Sequence, residues 1–575
     1  MVKLFRFLKP YNVPILIVLL MVFVQTLSDL YLPTLMSDIV NEGILLGDTD
    51  YILRVGGRMM IFVAGGVLCA VVASYFSSRA AMGFGRDVRS ATFRKIESFS
   101  LHEFDKLGTA TLITRTTNDI TQVQNVTMMI MRMMLSAPMM AVGGIILALR
   151  KDRPLTLVLA VAIPVLLAFV GLVSSRVLPL FTAIQKKIDA INLVLRENLT
   201  GIRVIRAFNR MDLEQKRFDR ANEDLTSTYI RINRIMALMF PAVMIIMNLT
   251  TLSILWFGGI RIDSGEMNIG DLMAFIQYAM QIMFSFLMFT MMIIMVPRAQ
   301  AAAVRINEVL AVEPEITDPQ AAKTAATLRG QVEFRDVSFR YHGAEQQALS
   351  GVTFTARPGE VTAIIGGTGS GKSTLINLIP RFYDVENGSV LVDGVDVREM
   401  TQQDLRDKIG YVPQKAVLFS GSIADNIRFG SEGASDQAVD EAAATAQAQE
   451  FIASLEEGMA YEVAEGGTNL SGGQKQRLNI ARALARKPEI YIFDDSFSAL
   501  DFKTDSRLRA ALRKQTQDAT VFIVSQRVAT VMDAERILVM DEGAIVGMGR
   551  HKELLQTCDV YREIVASQLS EEATA

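Results

Sequence analysis

The residue types most able to do chemistry are gathered in Gly366-Gly367-Thr368-Gly369-Ser370-Gly371-Lys372-Ser373-Thr374. Glycines let the backbone amides turn inward around phosphate oxygens, Lys372 can reach the β and γ phosphates of a nucleotide, and Ser373 can ligate Mg2+. An acidic pair, Asp494-Asp495, closes the apolar run Ile490-Tyr491-Ile492-Phe493. Asp494 is placed to hold Mg2+ through water, and Asp495 to orient or deprotonate an attacking water. Such a pair could be an ordinary turn. The phosphate loop in the same part of the chain makes phosphoryl chemistry the better account.

Both groups need rigid supports. Val361 to Ile365 reads as a buried strand running into the loop, and Leu375 to Ile379 as the helix that follows it. The helix would offer free N–H groups and its positive dipole end to the phosphates. Short β-type runs begin near Leu328, first with Gln331 to Phe339. An α/β P-loop nucleotide-binding domain is therefore expected over 328–575, after a linker at 311–327.

The preceding residues, 1–310, have another character. Hydrophobic residues make up 50% of the 575-residue chain and crowd into this half. A helix needs about 20 mostly apolar residues to cross a bilayer. Six segments qualify, at 13–38, 55–78, 127–149, 154–177, 234–258 and 269–297. Buried helices of a soluble core are the bland alternative, and six such runs argue against it. The expected architecture is a six-helix all-α transmembrane domain followed by the nucleotide-binding domain. Lys3, Arg6 and Lys9 precede the first run, which places both termini in the cytoplasm and the protein in the cytoplasmic membrane as a multi-pass protein. The short basic turn at 150–153 then faces outward, against the usual charge bias. Polar intervals between segments two and three, and four and five, read as helices continuing into the cytoplasm. In the second interval Leu195, Leu199, Ile202 and Ile205 recur along one helical face. Asp29, Asn248, Gln277 and Gln281 are polar groups inside spans, which are costly unless paired or facing a cavity. They are candidates for lining a substrate path. The many methionines of the last two spans suit either an adaptable cavity or helix packing.

Beyond these features, the chain resembles the ATP-binding cassette exporters in which membrane and nucleotide-binding domains are fused. Leu470-Ser471-Gly472-Gly473-Gln474-Lys475-Gln476-Arg477 is similar to the family signature, which caps the γ phosphate bound to the opposite subunit. The resemblance implies adenine stacking by Tyr341, Mg2+ and γ-phosphate sensing by Gln414, and a link between paired ATP sites through Ser498-Ala499-Leu500-Asp501. Phe104, Gly108, Arg115 and Asp119, then Glu197 and Gly201 to Phe208, match the two cytoplasmic loops. These loops imply coupling helices that seat on nucleotide-binding domains, with Glu465 and Gly466 passing closure to the second. Physically, the signature is a second anion cradle made of a serine hydroxyl, glycine amides and a helix start. A second cradle in a domain with its own phosphate loop is explained if it completes a site with another chain.

Two positions depart from the family pattern. The residue after Asp494 is normally glutamate and here is Asp495; the switch residue in Ile523-Val524-Ser525-Gln526-Arg527 is normally histidine and here is Gln526. Aspartate draws the carboxylate back by about an ångström, which hinders base geometry. Glutamine still donates a hydrogen bond but cannot become a cation. Lys372, Ser373 and Asp494 are unchanged, so the site should hold ATP and Mg2+ yet hydrolyse slowly. In the family this combination resembles the weaker subunit of a heterodimer. The implied partner is a homologous half-transporter with the consensus glutamate and histidine and a degenerate signature. A homodimer with two slow sites is the rival assembly. The expected function is ATP-driven export of small amphipathic or drug-like molecules by alternating access; lipid export and a non-transporting regulatory ATPase are the alternatives.

Charge and cysteine content narrow the field further. A net charge of −3 gives no support to a nucleic-acid partner. Cys69 and Cys558 form neither a disulfide framework nor a zinc spacing.

Overall fold

The computed structural model describes residues 1–324 and 329–572, so the expected start of the second domain at 328 lies outside the described residues. The chain divides into two compact units. One comprises Met1–Glu97 and Thr109–Val312; the other comprises Ser98–Gly108 and the described residues from Glu313 onward. The segment 98–108, which the sequence assigns to the membrane half, thus packs with the second unit.

In the first unit, six long helical stretches carry the apolar segments: α1 (Val2–Ile44), α2 (Thr49–Glu97), and, after the short α3 (Leu101–Leu107) of the other unit, α4 (Thr109–Lys151), α5 (Thr156–Thr200), α7 (Met211–Asp263) and α8 (Ile269–Ala311). A short α6 (Ile202–Ala207) lies between α5 and α7. Each long stretch has 43 to 53 residues. At 1.5 Å per residue that is about 65 to 80 Å, roughly twice the hydrocarbon thickness. The helices therefore continue well beyond any bilayer.

Helices α1, α2, α4 and α8 pack together, while α5 and α7 pair with each other and meet the rest chiefly through α8. Close approach needs small residues where there is little hydrophobic drive between helices in lipid. At Gly144 on α4, an added Cβ would stand 2.6 Å from the Ile282 side chain of α8. At the α4–α5 turn, Lys151 Nζ donates to Asp271 at 2.6 Å, and Ser37 Oγ donates to the same carboxylate at 2.7 Å. Arg261 reaches the buried Asp152 at 2.6 Å. At the opposite end of the bundle, Arg305 holds the buried Asp119 through two bonds of 2.7 and 2.5 Å, and Arg115 pairs with Glu308 at 3.0 Å.

The helical face expected through Leu195, Leu199, Ile202 and Ile205 is broken. α5 ends at Thr200, Gly201 takes φ −90° and ψ 9°, and α6 starts afresh. Glycine has the weakest helix preference after proline, and here a Cβ would sit 2.8 Å from the Glu197 carbonyl. No residue of α6 is buried, and Val204 and Phe208 are exposed.

The second unit is α/β. A four-stranded antiparallel sheet, β2-β1-β4-β5, is made of β1 (Val332–Phe339), β2 (Leu349–Ala356), β4 (Asn387–Val392) and β5 (Val395–Asp396). A six-stranded sheet is ordered β10-β9-β3-β8-β7-β6, from β3 (Val361–Gly366), β6 (Ile409–Val412), β7 (Ile490–Asp494), β8 (Thr520–Val524), β9 (Arg536–Asp541) and β10 (Ala544–Gly549). All its neighbours are parallel except β9 and β10. Phe334, Phe354, Ile364, Leu375, Phe522 and Leu538 share one core between the sheets. The central strands are buried along nearly their whole length, which is why they read as unbroken apolar runs.

Lys408, just before β6, ties the two sheets. Its Nζ reaches Asp393 at 2.6 Å and Glu489 at 2.8 Å, and Asp393 also accepts the Gln331 amide at 2.9 Å. Burial pushes the amine down, but the two carboxylates outweigh it and hold the amine above its ordinary value. Lys408→Met leaves the buried Asp393 carboxylate without its cation. The expected loss is about 2 to 3 kcal/mol, discounted for the partial exposure of Lys408 and Glu489. A lower thermal unfolding midpoint of the full chain checks it, and adding Asp393→Asn should recover part of the loss.

Candidate nucleotide-binding site

Strand register places the predicted residues side by side. Val524 pairs with Asp494 across β8 and β7 and with Ile364 across β8 and β3, while Gly366 pairs with Met540. The carboxyl ends of β3, β7 and β8 therefore meet, where open α/β sheets bind ligands. A cavity of about 380 Å³ lies there, lined by Tyr341, Thr368, Gly369, Gly371, Lys372, Ser373, Thr374, Gln414, Asp494, Asp495 and Gln526. A larger hollow of about 730 Å³ against α11 (Phe502–Gln515) contains none of these groups.

The loop is held by its backbone. Gly371 has φ +93°, a conformation only glycine adopts freely, and a Cβ there would approach the Ala348 carbonyl at 2.6 Å. Directly after it begins α9 (Lys372–Leu378). Lys372 Nζ donates to the Gly366 and Gly367 carbonyls at 3.0 and 2.6 Å and to Ser370 Oγ at 3.3 Å. Burial pushes its amine down, and Asp495 and Asp494 oppose that shift. The ammonium is thus buried at the phosphate cradle with only neutral acceptors in direct contact.

Ser373 Oγ donates to Asp494 Oδ1 at 3.0 Å, so the two groups expected around Mg2+ already touch. Burial raises the Asp494 carboxyl; the Ser373 bond pulls it back, while Asp495 pushes it further up. Asp495 sits just beyond the strand with φ +44°. Aspartate tolerates this left-handed region better than most residues. Its carboxyl is also raised by burial, against the pull of Arg527 and of a hydrogen bond from Gln414. Tyr341 OH is 3.0 Å from Thr374 Oγ1, and its ring packs edge-on against Phe339 and Tyr383.

Neighbours that sequence reasoning passed over also shape the site. Arg527 donates to the Ser498 carbonyl at 3.2 Å and faces Asp495. Gln568 donates to the Gln526 carbonyl at 2.6 Å and accepts from the Val528 amide at 2.8 Å, pinning the segment around Gln526 from 42 residues away. No local pattern marks Gln568; position beside Gln526 is the one cue for Arg527.

The signature is not in this cavity. Ser471 caps α10 (Gly472–Ala485) in a reciprocal pair with Gln474, at 2.8 Å from the Ser471 amide to Gln474 Oε1 and 3.3 Å from the Gln474 amide to Ser471 Oγ. Ser471 and Gly472 are exposed, Gly473 packs toward the Ala499 carbonyl, and Leu470 anchors the turn in the core. Glu465 and Ser498 are exposed, as is Asp501, which caps α11 by accepting the Thr504 amide at 3.0 Å. In the membrane unit, Gln281 Nε2 donates to the Asp29 carbonyl at 3.0 Å, whereas Gln277 and Asn248 are exposed on α8 and α7.

Comparison with known proteins then places the chain. Residues 15–286 match the family model of the ABC transporter transmembrane region, and residues 349–498 match the ABC transporter family model. An uncharacterised ABC transporter ATP-binding protein of Mycobacterium tuberculosis is 44% identical over 567 residues, covering 98% of this chain and 97% of the relative. The chain belongs to the fused ABC exporters. An ATP-dependent lipid A-core flippase of Aromatoleum aromaticum is 34% identical over 500 residues, covering 87% of this chain and 82% of the flippase. The structure of a bacterial Atm1-family ABC exporter with ATP bound aligns with a TM-score of 0.81 at 26% identity, over 96% of this chain and 98% of the other. This ABC exporter is therefore a multi-pass membrane protein with an ATPase domain that couples ATP hydrolysis to transport of a small molecule. The domain family implies ATP and Mg2+ as cofactors. The donor set fits them: a cradle open at glycines, a buried ammonium, and a serine–aspartate pair of oxygen ligands.

Proposed function

We propose that this exporter is the slowly hydrolysing half of a two-subunit pump in the cytoplasmic membrane, with both termini in the cytoplasm. The observation that carries the reading is the pairing of Asp495 and Gln526 in one cavity with Lys372, Ser373 and Asp494. Lys372, the loop amides and Asp494 bind Mg2+-ATP there, and Tyr341 stacks on adenine. Gln414 senses the γ phosphate. Asp495 orients water with a short arm, and Gln526 contributes a neutral hydrogen bond where a cation would help the transition state. The exposed signature Leu470 to Gln474 completes the faster site of a homologous partner, which supplies its own glutamate and histidine. Ser498, Asp501 and Glu465 line the contact between them.

One further observation supports this assembly. The exposed α6, with Val204 and Phe208 uncovered, suits a coupling helix that seats on the neighbouring subunit. ATP would bind the closed pair of nucleotide-binding domains, and that differential affinity would drive alternating access. Small amphipathic or drug-like molecules would pass a path that includes Asp29, Gln281, Gln277 and Asn248. Lipid is the second reading, favoured by the similarity to a lipid A-core flippase.

Purifying the chain alone and measuring steady-state ATP turnover tests the division of labour. A homogeneous homodimer should turn over roughly 10-fold to 1000-fold more slowly than the complex with its partner, about 1.4 to 4 kcal/mol of barrier. Turnover equal to that of the complex sinks the proposal. In the complex, Asp495→Asn should leave overall hydrolysis nearly intact; its complete loss would contradict the assignment.

A further inference from the structure

The chain has three histidines, and two of them face each other. His102 on α3 and His342 in the turn after β1 bring their ring centroids to 4.7 Å with the planes tilted by 55°. Both belong to the second unit, where α3 is fixed by a reciprocal cap: Ser100 N donates to Glu103 Oε2 at 2.6 Å, and Glu103 Oε1 accepts the Glu315 amide at 3.1 Å. The rings line a hollow of about 730 Å³ that also contains Asp105, Lys106, Tyr383 and Glu386. It shares Tyr341 with the nucleotide cavity and is otherwise distinct from it.

Neutral imidazole is a preferred ligand of Zn2+, with Zn–N near 2.0–2.1 Å in tetrahedral geometry. Two imidazoles on one tetrahedral ion have ring centroids about 5 Å apart. The observed spacing is close to that value, and the tilt of 55° is compatible with it, since each imidazole can turn about its own metal–nitrogen bond. Stacked or hydrogen-bonded histidines would serve a merely structural role equally well in a closed core. Here the rings border open volume, which leaves room for the water molecules needed to complete the coordination. Among the described residues no third His, Cys, Asp or Glu joins them as a ready-made ligand set. The site would therefore be a weak, exchangeable one, responsive to metal supply and unlike a structural zinc.

We propose that His102 and His342 bind a divalent transition metal of the Zn2+ class and that the bound ion restrains the adenine-stacking loop. His342 follows Tyr341 directly, and Tyr341 is tied to the phosphate loop through Thr374. An ion that anchors His342 to α3 holds the Arg340–Gly343 segment and slows entry or release of nucleotide. The inference is independent of which subunit hydrolyses faster.

The experiment uses the full chain without a polyhistidine tag, in lipid nanodiscs, titrated with ZnCl2 by calorimetry in the absence of nucleotide. One Zn2+ should bind per chain in the wild type. H102Q and H342Q, which keep side-chain bulk and a hydrogen-bonding end, should each weaken binding by about tenfold or more, or 1.4 kcal/mol. H551Q removes the remaining histidine, whose Nδ1 pairs with the Tyr561 hydroxyl at 2.7 Å, and should leave that binding unchanged. Dissociation of a fluorescent ATP analogue should slow with Zn2+ in the wild type but not in H102Q, and recover after the metal is removed by desalting. Equal Zn2+ affinity in wild type, H102Q and H342Q overturns the site. Histidine-dependent binding with no change in nucleotide dissociation keeps the site and overturns its action on Tyr341.

Discussion

Lengthening one carboxylate and restoring one imidazole, Asp495→Glu with Gln526→His, should raise ATP turnover of the purified chain by roughly 10-fold to 1000-fold, equivalent to about 1.4 to 4 kcal/mol of barrier. Both positions line the same cavity as Lys372, so a glutamate would carry its oxygens about an ångström further toward the attacking water. Histidine would supply a group able to become cationic beside the γ phosphate. The double change should exceed the sum of the singles, because both act on one transition state. The backbone opposes part of this gain. Asp495 has φ +44°, which glutamate tolerates less well than aspartate, so the variant should also be somewhat less stable. Unchanged turnover with ATP binding intact would show that another feature limits hydrolysis.

The second large effect concerns binding. Lys372→Ala should lower the affinity of the chain's own site for ATP by roughly 100-fold, about 2.7 kcal/mol, from loss of charge-assisted bonds to two phosphates. The lysine already stands in the cradle, bonded to the Gly366 and Gly367 carbonyls at 3.0 and 2.6 Å. Phosphate oxygens would replace neutral acceptors as its partners. Its removal should also lower the raised carboxyl of neither neighbour, since Lys372 acts to pull Asp494 and Asp495 down. Equilibrium titration with a fluorescent ATP analogue checks the affinity; Lys372→Arg should rescue it only in part, because the planar guanidinium does not fit a cradle shaped for a compact ammonium. Unaltered affinity in Lys372→Ala would refute the assignment of this loop as the phosphate site.

Much of this protein was legible in local patterns. Gly366 to Thr374 announced a phosphate loop because the backbone amides and a following lysine do the binding, and both are set by neighbours in sequence. Six apolar stretches announced a membrane domain because hydrocarbon thickness translates directly into residue count. The departures at Asp495 and Gln526 needed no coordinates. Other features depended on which distant residues meet. Leu195 to Ile205 looked like one helical face, and only the backbone at Gly201 divides it. Segment 98–108 lies between membrane spans in the chain but packs with the nucleotide-binding unit, through contacts such as Glu103 with the Glu315 amide. Gln568 pins the Gln526 backbone from 42 residues away, and Lys408 joins three strand ends that no periodicity links.

Sequence by itself therefore determined the membrane and nucleotide-binding halves and the phosphate loop, since each rests on local composition or spacing, while Asp495 and Gln526 stand out only against the pattern of the family that the chain resembles. The tertiary structure decided that Asp495 and Gln526 share one cavity with Lys372 while the signature lies outside it, and that His102 meets His342. Such juxtapositions arise from sheet register and helix packing, which bring together residues far apart in the chain and leave no mark in the local pattern.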